Sequence, residues 1–231
     1  MNPAEFDKFA EQYLATHAAN LKISGEDPDH FARAKAEVLH RRWVQSRLAE
    51  PRAILDFGAG IGNAWPHLAA VFPKAEITGL DVSEKSLAIA ERRFPGLAKP
   101  VRYDGDRIPL PKGSFDLIFS ACVFHHIPRE RHVDLFAQLK GLLKPDGRMA
   151  IFEHNPFNPV TRHIVDTCEF DENAVLVAAA ELKRRQEKAG FRAVTTAYIG
   201  FFPGGLSALR PLERWLTALP IGAQYFTFAR G

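Results

Sequence analysis

Apolar residues follow two rhythms along this chain, and the rhythm changes at Pro51. Before it, residues 3–49 read as helical: Ala32, Ala36, Leu39 and Trp43 succeed one another at spacings of four, three and four, one stripe down a helix face. Ser24-Gly-Glu-Asp-Pro28 divides that region into two helices. Beyond Pro51, short apolar runs alternate with helical stretches. Residues 53–57 form a first strand ending in a glycine-rich turn, and 63–72 a helix with Pro66 in its first turn. Residues 75–81 form a second strand, and Ser83 caps the helix that follows, with Glu84 in its first turn. Strands three, four and five fall at 99–103, 115–120 and 147–153. Between the last two lies a helix over 128–143 carrying Leu135, Leu139 and Leu142, turned into the fifth strand by Pro145-Asp-Gly147.

Strands alternating with helices of this length predict βαβ units, a doubly wound parallel sheet with helices on both faces. The strands are apolar without polar alternation, as burial on both sides requires. From Asp166 to about Ala189 the pattern is helical again. Two β-like runs, 191–202 and 224–228, can pair antiparallel at one sheet edge, and the Gly-, Pro- and Leu-rich segment between them, 203–222, reads as loops and short helices.

Composition narrows the function classes. The chain has 231 residues, 46% hydrophobic and 25% charged, which excludes a disordered or fibrous protein. Its 30 Lys and Arg against 27 Asp and Glu leave a formal charge of +3. Bases interleave with acids, as in Glu181-Leu-Lys-Arg-Arg-Gln-Glu-Lys188, a solvated helix face rather than a phosphate-binding patch. No nucleic-acid partner is expected. Cys122 and Cys168 form no Cys-x-x-Cys pair, so neither a disulfide framework nor a structural zinc site is supported; no metal-ligand spacing stands out and metal independence is expected. The N-terminus lacks a secretory pattern, and no apolar run of about 18 residues is present. The expectation is a cytoplasmic protein with reduced thiols and no stable membrane insertion, monomer or homodimer.

The chemistry gathers at predicted strand ends. In an open parallel sheet, ligands bind outside the carboxyl ends of the strands. Strand one ends in Asp56-Phe-Gly-Ala-Gly-Ile-Gly62, strand two in Asp81, strand three in Tyr103-Asp-Gly-Asp106, strand four in Ser120-Ala-Cys-Val-Phe-His-His126 and strand five in Glu153-His-Asn155. Gly58, Gly60 and Gly62 let the backbone approach a ligand. Asp81 stands 21 residues after Gly60, where a carboxylate accepts from a ribose. Asn63 occupies the place where a dinucleotide fingerprint has its last Gly or Ala. Asp56, two residues before the first glycine, repels phosphate and attracts an ammonium or sulfonium.

Together, Ile54-Leu-Asp-Phe-Gly-Ala-Gly-Ile-Gly62, Asp81, Asp104-Gly105 and the run from Ile108-Pro-Leu-Pro through Phe115-Asp to His125-His126 resemble a class I S-adenosylmethionine-dependent methyltransferase. The resemblance is close over about residues 50–153 and looser at the final β-like runs. Phe6-Asp-Lys-Phe-Ala-Glu-Gln-Tyr13 is similar to the first helix of small-molecule members such as quinone-biosynthesis methyltransferases. The resemblance implies a Rossmann-like, mostly parallel seven-stranded sheet with an antiparallel last strand. Residues 1–49 would be a helical N-terminal cap and 50–231 the methyltransferase domain, with lid insertions near 154–177 and 200–222, all one compact unit. It implies S-adenosylmethionine as cofactor, its methionine end held by Asp56 and the glycine loop and its ribose by Asp81. Asp104, with the Gly105 backbone, would take the adenine amino group, Asp106 being the competing choice. Val82 and the Ala121-Cys122 segment would pack the adenine.

Methyl transfer requires an acceptor held in line and, for a hydroxyl, acidic carbon or amine, a proton acceptor near neutrality. His125 and His126 after strand four and His154 after strand five are the candidates, each able instead to serve the loop structurally. Tyr13, Phe124 and Phe157 are candidate apolar walls for a small-molecule acceptor. Phe201-Phe-Pro-Gly-Gly-Leu206 and Trp215 suit a hydrophobic or lipid-like acceptor, or else extra core. Asn155-Pro-Phe resembles a signature of amino-group methyltransferases but follows strand five instead of strand four, so turn chemistry explains it better. Asp116 reads as structural and Cys122 as packing. The alternatives are a nicotinamide-dependent oxidoreductase and a non-catalytic cofactor-binding protein.

Overall fold

A computed structural model describes residues 28–168 and 171–231. Helix α1 (Pro28–Gln45) precedes β1 (Ala53–Phe57), α2 (Trp65–Val71), β2 (Glu76–Asp81), α3 (Glu84–Arg93) and β3 (Lys99–Arg102). Then come β4 (Phe115–Ala121), α4 (His132–Leu142), β5 (Leu143–His154), α5 (Pro159–Asp166) and α6 (Ala179–Lys188), followed by β6 (Arg192–Ile199), α7 (Glu213–Leu216) and β7 (Gln224–Arg230). The strands make one sheet in the order β3-β2-β1-β4-β5-β7-β6. Pairing is parallel from β3 through β5, and β7 runs antiparallel to both its neighbours. The expected doubly wound sheet with an antiparallel last strand is therefore present.

Neighbouring residues of the central strands bury on opposite faces. Ile54, Leu117 and Phe119 join Trp65, Leu68, Phe72 and the Leu39–Trp43 stripe of α1 in one core layer; Leu55, Phe57 and Ile118 join Phe136, Leu139 and Leu182 in the other. Each such side chain contributes roughly 1.5–3 kcal/mol by leaving water, and two full layers explain why the strands read as unbroken apolar runs. Trp43 meets Phe72 and Phe228 edge-on, so the stripe read from sequence seals the sheet face on which α1 lies.

Several boundaries differ from expectation. Helix α4 begins at His132 after a separate 3₁₀ turn, Arg129–Arg131, and β5 starts at Leu143 with a register shift against β4. Asp146 sits at φ 67° inside that shift, so Pro145-Asp-Gly147 bends a strand instead of preceding one. The helix expected over 166–189 is broken: α5 stops at Asp166 and α6 begins at Ala179. Val175 N donates to His125 O (2.8 Å), Tyr225 OH to Val177 O (2.8 Å) and Arg129 Nη2 to Leu176 O (3.1 Å), so the intervening loop is tied over the ends of β4 and β5. Ser83 caps α3 as expected, its Oγ accepting from Ser86 N at 3.0 Å. No helix among the described residues is long and apolar enough to cross a membrane.

Candidate active site at the strand ends

The turn after β1 is shaped by contacts with β2 and β4. Gly58 N and Ala59 N both donate to Leu80 O, pinning the turn to β2. Gly58 stands at φ 75°, and a Cβ there would come within 2.3 Å of Val123 Cγ2. Gly60 differs: a Cβ would meet nothing within 4 Å, and its N–H donates to Asp81 Oδ2 at 2.8 Å. Gly62 is confined by Trp65 and Ala90. One glycine of the three thus borders open space while the others are pressed onto protein.

Asp56 and Asp81 form an acidic pair behind that turn. Asp56 is buried and accepts from Trp65 Nε1 at 3.1 Å. Burial, reinforced by the Asp81 charge, pushes its carboxyl up to about 7. An acid so placed gains most from a cation. Asp81 Oδ1 accepts from Ser83 N at 2.8 Å, which fixes the carboxylate at the end of β2 beside buried Val82. Asp104 lies exposed beyond β3 and accepts from Arg107 N and Asp106 N, bonds that hold its carboxyl below the ordinary range. Asp106 instead pairs with Arg131, so the two competing acids have different partners. Gly105, Tyr103, Ile127, Pro128, Arg131 and Leu135 line a small cleft beside them.

At the end of β4 the chain turns through Ala121 and Cys122, the latter at φ 59°, its N–H bonded to Phe152 O. Gln224 Nε2 approaches Cys122 Sγ at 3.6 Å and burial pushes the thiol up, which suits packing and not nucleophilic attack. A 3₁₀ turn, Phe124–His126, follows. Glu153 Oε1 accepts from Val123 N (3.0 Å) and Phe124 N (2.7 Å), while its Oε2 meets His125 Nδ1 at 2.6 Å. On the other side of the ring, His125 Nε2 lies 3.4 Å from Asp171 Oδ1, and His126 Nε2 lies 3.4 Å from the same oxygen. The His154 ring stands 5.3 Å from that of His125.

These neighbours split the three imidazoles. Burial opposes charge on His125, but Glu153 and Asp171 outweigh it and raise the ring well above its ordinary value. Burial, then the His125 charge, lowers both His126 and His154 to about 4. Despite burial, the facing histidines draw Asp171 down to about 2. His125 is thus clamped with a carboxylate at each nitrogen, which favours its charged form, while its two neighbours are held neutral.

Two expected pocket walls are corrected. Phe124 is fully buried at 0% exposure, stacked on Phe136 at 4.5 Å and close to Phe57, because the 3₁₀ turn swings it into the core. Phe157 points outward, 67% exposed. Tyr13 lies outside the described residues. Asn155 and Asn158 do turn chemistry and more: Asn155 Oδ1 accepts from Phe157 N, Asn158 caps α5, and their amide groups donate to the carbonyls of Pro220, Gly222 and Ile221. The 154–177 and 200–222 segments are thereby stitched together, and the second exposes Leu206, Leu212, Trp215 and Ile221 where extra core would have hidden them. Asp116 is structural as expected, accepting from Arg52 N, Ala53 N and Lys144. Motif reading leaves out Asp171 and the clamp role of Glu153; the second was visible as a strand-end acid, the first carried no local signal.

Residues 54–147 match the family model described as a methyltransferase domain. The chain is 36% identical over 127 residues to a trans-aconitate 2-methyltransferase of Methylobacterium radiotolerans, covering 53% of this chain and 44% of that protein. It is 30% identical over 146 residues to a phthiotriol/phenolphthiotriol dimycocerosates methyltransferase of Mycobacterium leprae, covering 61% and 52%. The chain spans about half the length of these curated relatives. Among solved structures, phosphoethanolamine N-methyltransferase 2 of Haemonchus contortus in complex with S-adenosyl-L-methionine superposes with a TM-score of 0.67 at 17% identity, over 97% of this chain and 59% of that one.

Proposed function

We propose that the chain is a class I S-adenosylmethionine-dependent methyltransferase, supported by the methyltransferase-domain match over residues 54–147 and by the sheet order, and that it methylates a small molecule at the ends of β4 and β5. The observation that carries this is the buried, cation-seeking Asp56 beside a glycine turn that is open only at Gly60. A phosphate-free, positively charged nucleoside fits such a place. A diphosphate does not, since Asp56 would face it. The inserted antiparallel β7 also departs from the strand order 3-2-1-4-5-6 of dinucleotide-binding sheets, which counts against a nicotinamide enzyme.

In this reading Asp56 and the turn at Gly58, Gly60 and Gly62 hold the ammonium and carboxylate end of the cofactor, and Asp81 accepts from the ribose. Val82, Ala121 and Cys122 pack the base, and Asp104 with the Gly105 backbone meets its amino group. Bound S-adenosylmethionine supplies an electrophilic methyl on a sulfonium, so the protein needs only to hold the acceptor in line and exclude water. His125 is a positioning residue, locked between Glu153 and Asp171. His154, against the His125 ring, stays neutral and orients the acceptor as a hydrogen-bond partner. The stitched segments 154–177 and 200–222 present apolar side chains around the rim, which favours an acceptor with a hydrophobic body.

The test is twofold. Adenosylhomocysteine raises the melting temperature and gives a calorimetric isotherm, whereas NAD and NADP do neither. Methyl-labelled S-adenosylmethionine then transfers label to some member of a panel of apolar hydroxyl, carboxylate and amine acceptors. Stabilisation by a nicotinamide dinucleotide, or binding without turnover on any acceptor class, would move the reading to one of its two rivals.

A further inference from the structure

Two imidazole nitrogens, His125 Nε2 and His126 Nε2, each stand 3.4 Å from the one oxygen Asp171 Oδ1. A charge-assisted hydrogen bond closes to about 2.7–2.9 Å, so both ion pairs are long for that form. The separation does match the edge of a coordination tetrahedron, because metal bonds of about 2.0–2.2 Å place neighbouring ligand atoms about 3.3–3.5 Å apart. All three ligand atoms lie within 4.8 Å of one another. We infer that His125, His126 and Asp171 form a binding site for a divalent transition-metal ion of the zinc type.

The surroundings independently suit an ion. Glu153 Oε2 engages His125 Nδ1 at 2.6 Å, the carboxylate–imidazole arrangement that orients a metal-bound histidine and raises its basicity. Glu153 is itself held by Val123 N and Phe124 N, and the segment bearing Asp171 is tied to His125 O through Val175 N. The ligand atoms therefore come from two anchored pieces of chain. Two imidazole nitrogens and one carboxylate oxygen favour zinc, cobalt, nickel or iron over magnesium or calcium. Three protein ligands also leave a coordination position open, as in catalytic rather than structural zinc sites. An acceptor oxygen or nitrogen takes that position. This last assignment rests on the methyl-transfer reading; metal binding does not.

The test uses the full chain with any affinity tag removed. Cobalt is titrated and its visible d–d bands followed, zinc affinity is measured by competition with a chromophoric chelator, and adenosylhomocysteine binding reports an intact fold. One ion per chain with the intense bands of tetrahedral cobalt is expected. Asp171→Ala and His126→Ala each weaken zinc by about 100-fold or more, and the milder Glu153→Gln by about 10–100-fold, while all three still bind adenosylhomocysteine. A folded, adenosylhomocysteine-binding protein without tetrahedral cobalt bands overturns the metal site alone. So does zinc affinity unchanged in both Asp171→Ala and His126→Ala. Tetrahedral cobalt without adenosylhomocysteine binding keeps the metal site and overturns the methyl-transfer reading instead.

Discussion

The two halves of the rim are built by different means. At the β1–β2 end, every group that matters lies within a few residues of a strand terminus, and the turn is held by backbone bonds to Leu80 and by Asp81. At the β4–β5 end, the cluster exists only because a loop between α5 and α6 carries Asp171 over to His125, 46 positions away in the sequence. The first half is a local device built around one buried acid, Asp56. The second is a tertiary assembly in which His125 stands between two carboxylates, Glu153 and Asp171.

That contrast can be tested, beginning where the effect is greatest. Glu153→Ala leaves a buried imidazolium short of a partner and two N–H groups without their acceptor, and should cost about 3–5 kcal/mol in denaturant unfolding. A loss below about 1 kcal/mol would mean that the cluster is not the charged assembly described. Gly58→Ala should cost about 2–4 kcal/mol, from the left-handed backbone and the collision with Val123. Gly60→Ala should cost only about 1 kcal/mol, for the backbone alone, yet weaken adenosylhomocysteine because the methyl enters the ligand's space. Equal behaviour of the two variants would erase the distinction between them. Asp81→Ala should weaken cofactor about tenfold or more by calorimetry, as loss of roughly 1.5–3 kcal/mol of charged hydrogen bonding requires.

The next effect is on pH. Asp56 has a folded pKa of about 7, above its ordinary value, so the ligand-free protein holds a proton there below neutrality. Stability from that proton is present at low pH and is lost as pH rises through 7. A bound ammonium expels the proton, so adenosylhomocysteine affinity should climb about tenfold between about pH 6 and pH 8 and then level. Proton release measured in buffers of different ionisation enthalpy checks this, and Asp56→Asn should flatten it. Smallest of all, Asp116→Asn should cost about 1 kcal/mol of stability and leave cofactor affinity unchanged, since its partners lie at the amino ends of β1 and β5, away from the carboxyl-end site.

The same division governs what the sequence reveals. The glycine turn, Asp81, the Ser83 cap and the Leu39–Trp43 stripe were legible because each depends on neighbours within one or two turns of chain. Phe124 misled because an aromatic beside two histidines looks like a pocket wall, while a 3₁₀ turn of three residues decides which way it points. Asp171 was hidden because the helical pattern over 166–189 gave no sign of the break that delivers it. Asp-Gly-Asp alone does not distinguish Asp104 from Asp106; their different partners appear only in the structure, where Arg131 reaches Asp106 from beyond the next strand.

Strand β7 lies between β5 and β6 and is made after both. Its Tyr225 and Gln224 pair with Glu153 and His154, and Phe226 stacks on Phe152. During synthesis, therefore, two open edges must wait for residues 224–230 to emerge, a window in which the nascent chain is exposed to aberrant strand pairing. Until residues 224–230 are in place, β5 keeps an open edge beside Glu153 and His154, so the cluster around His125 is framed last.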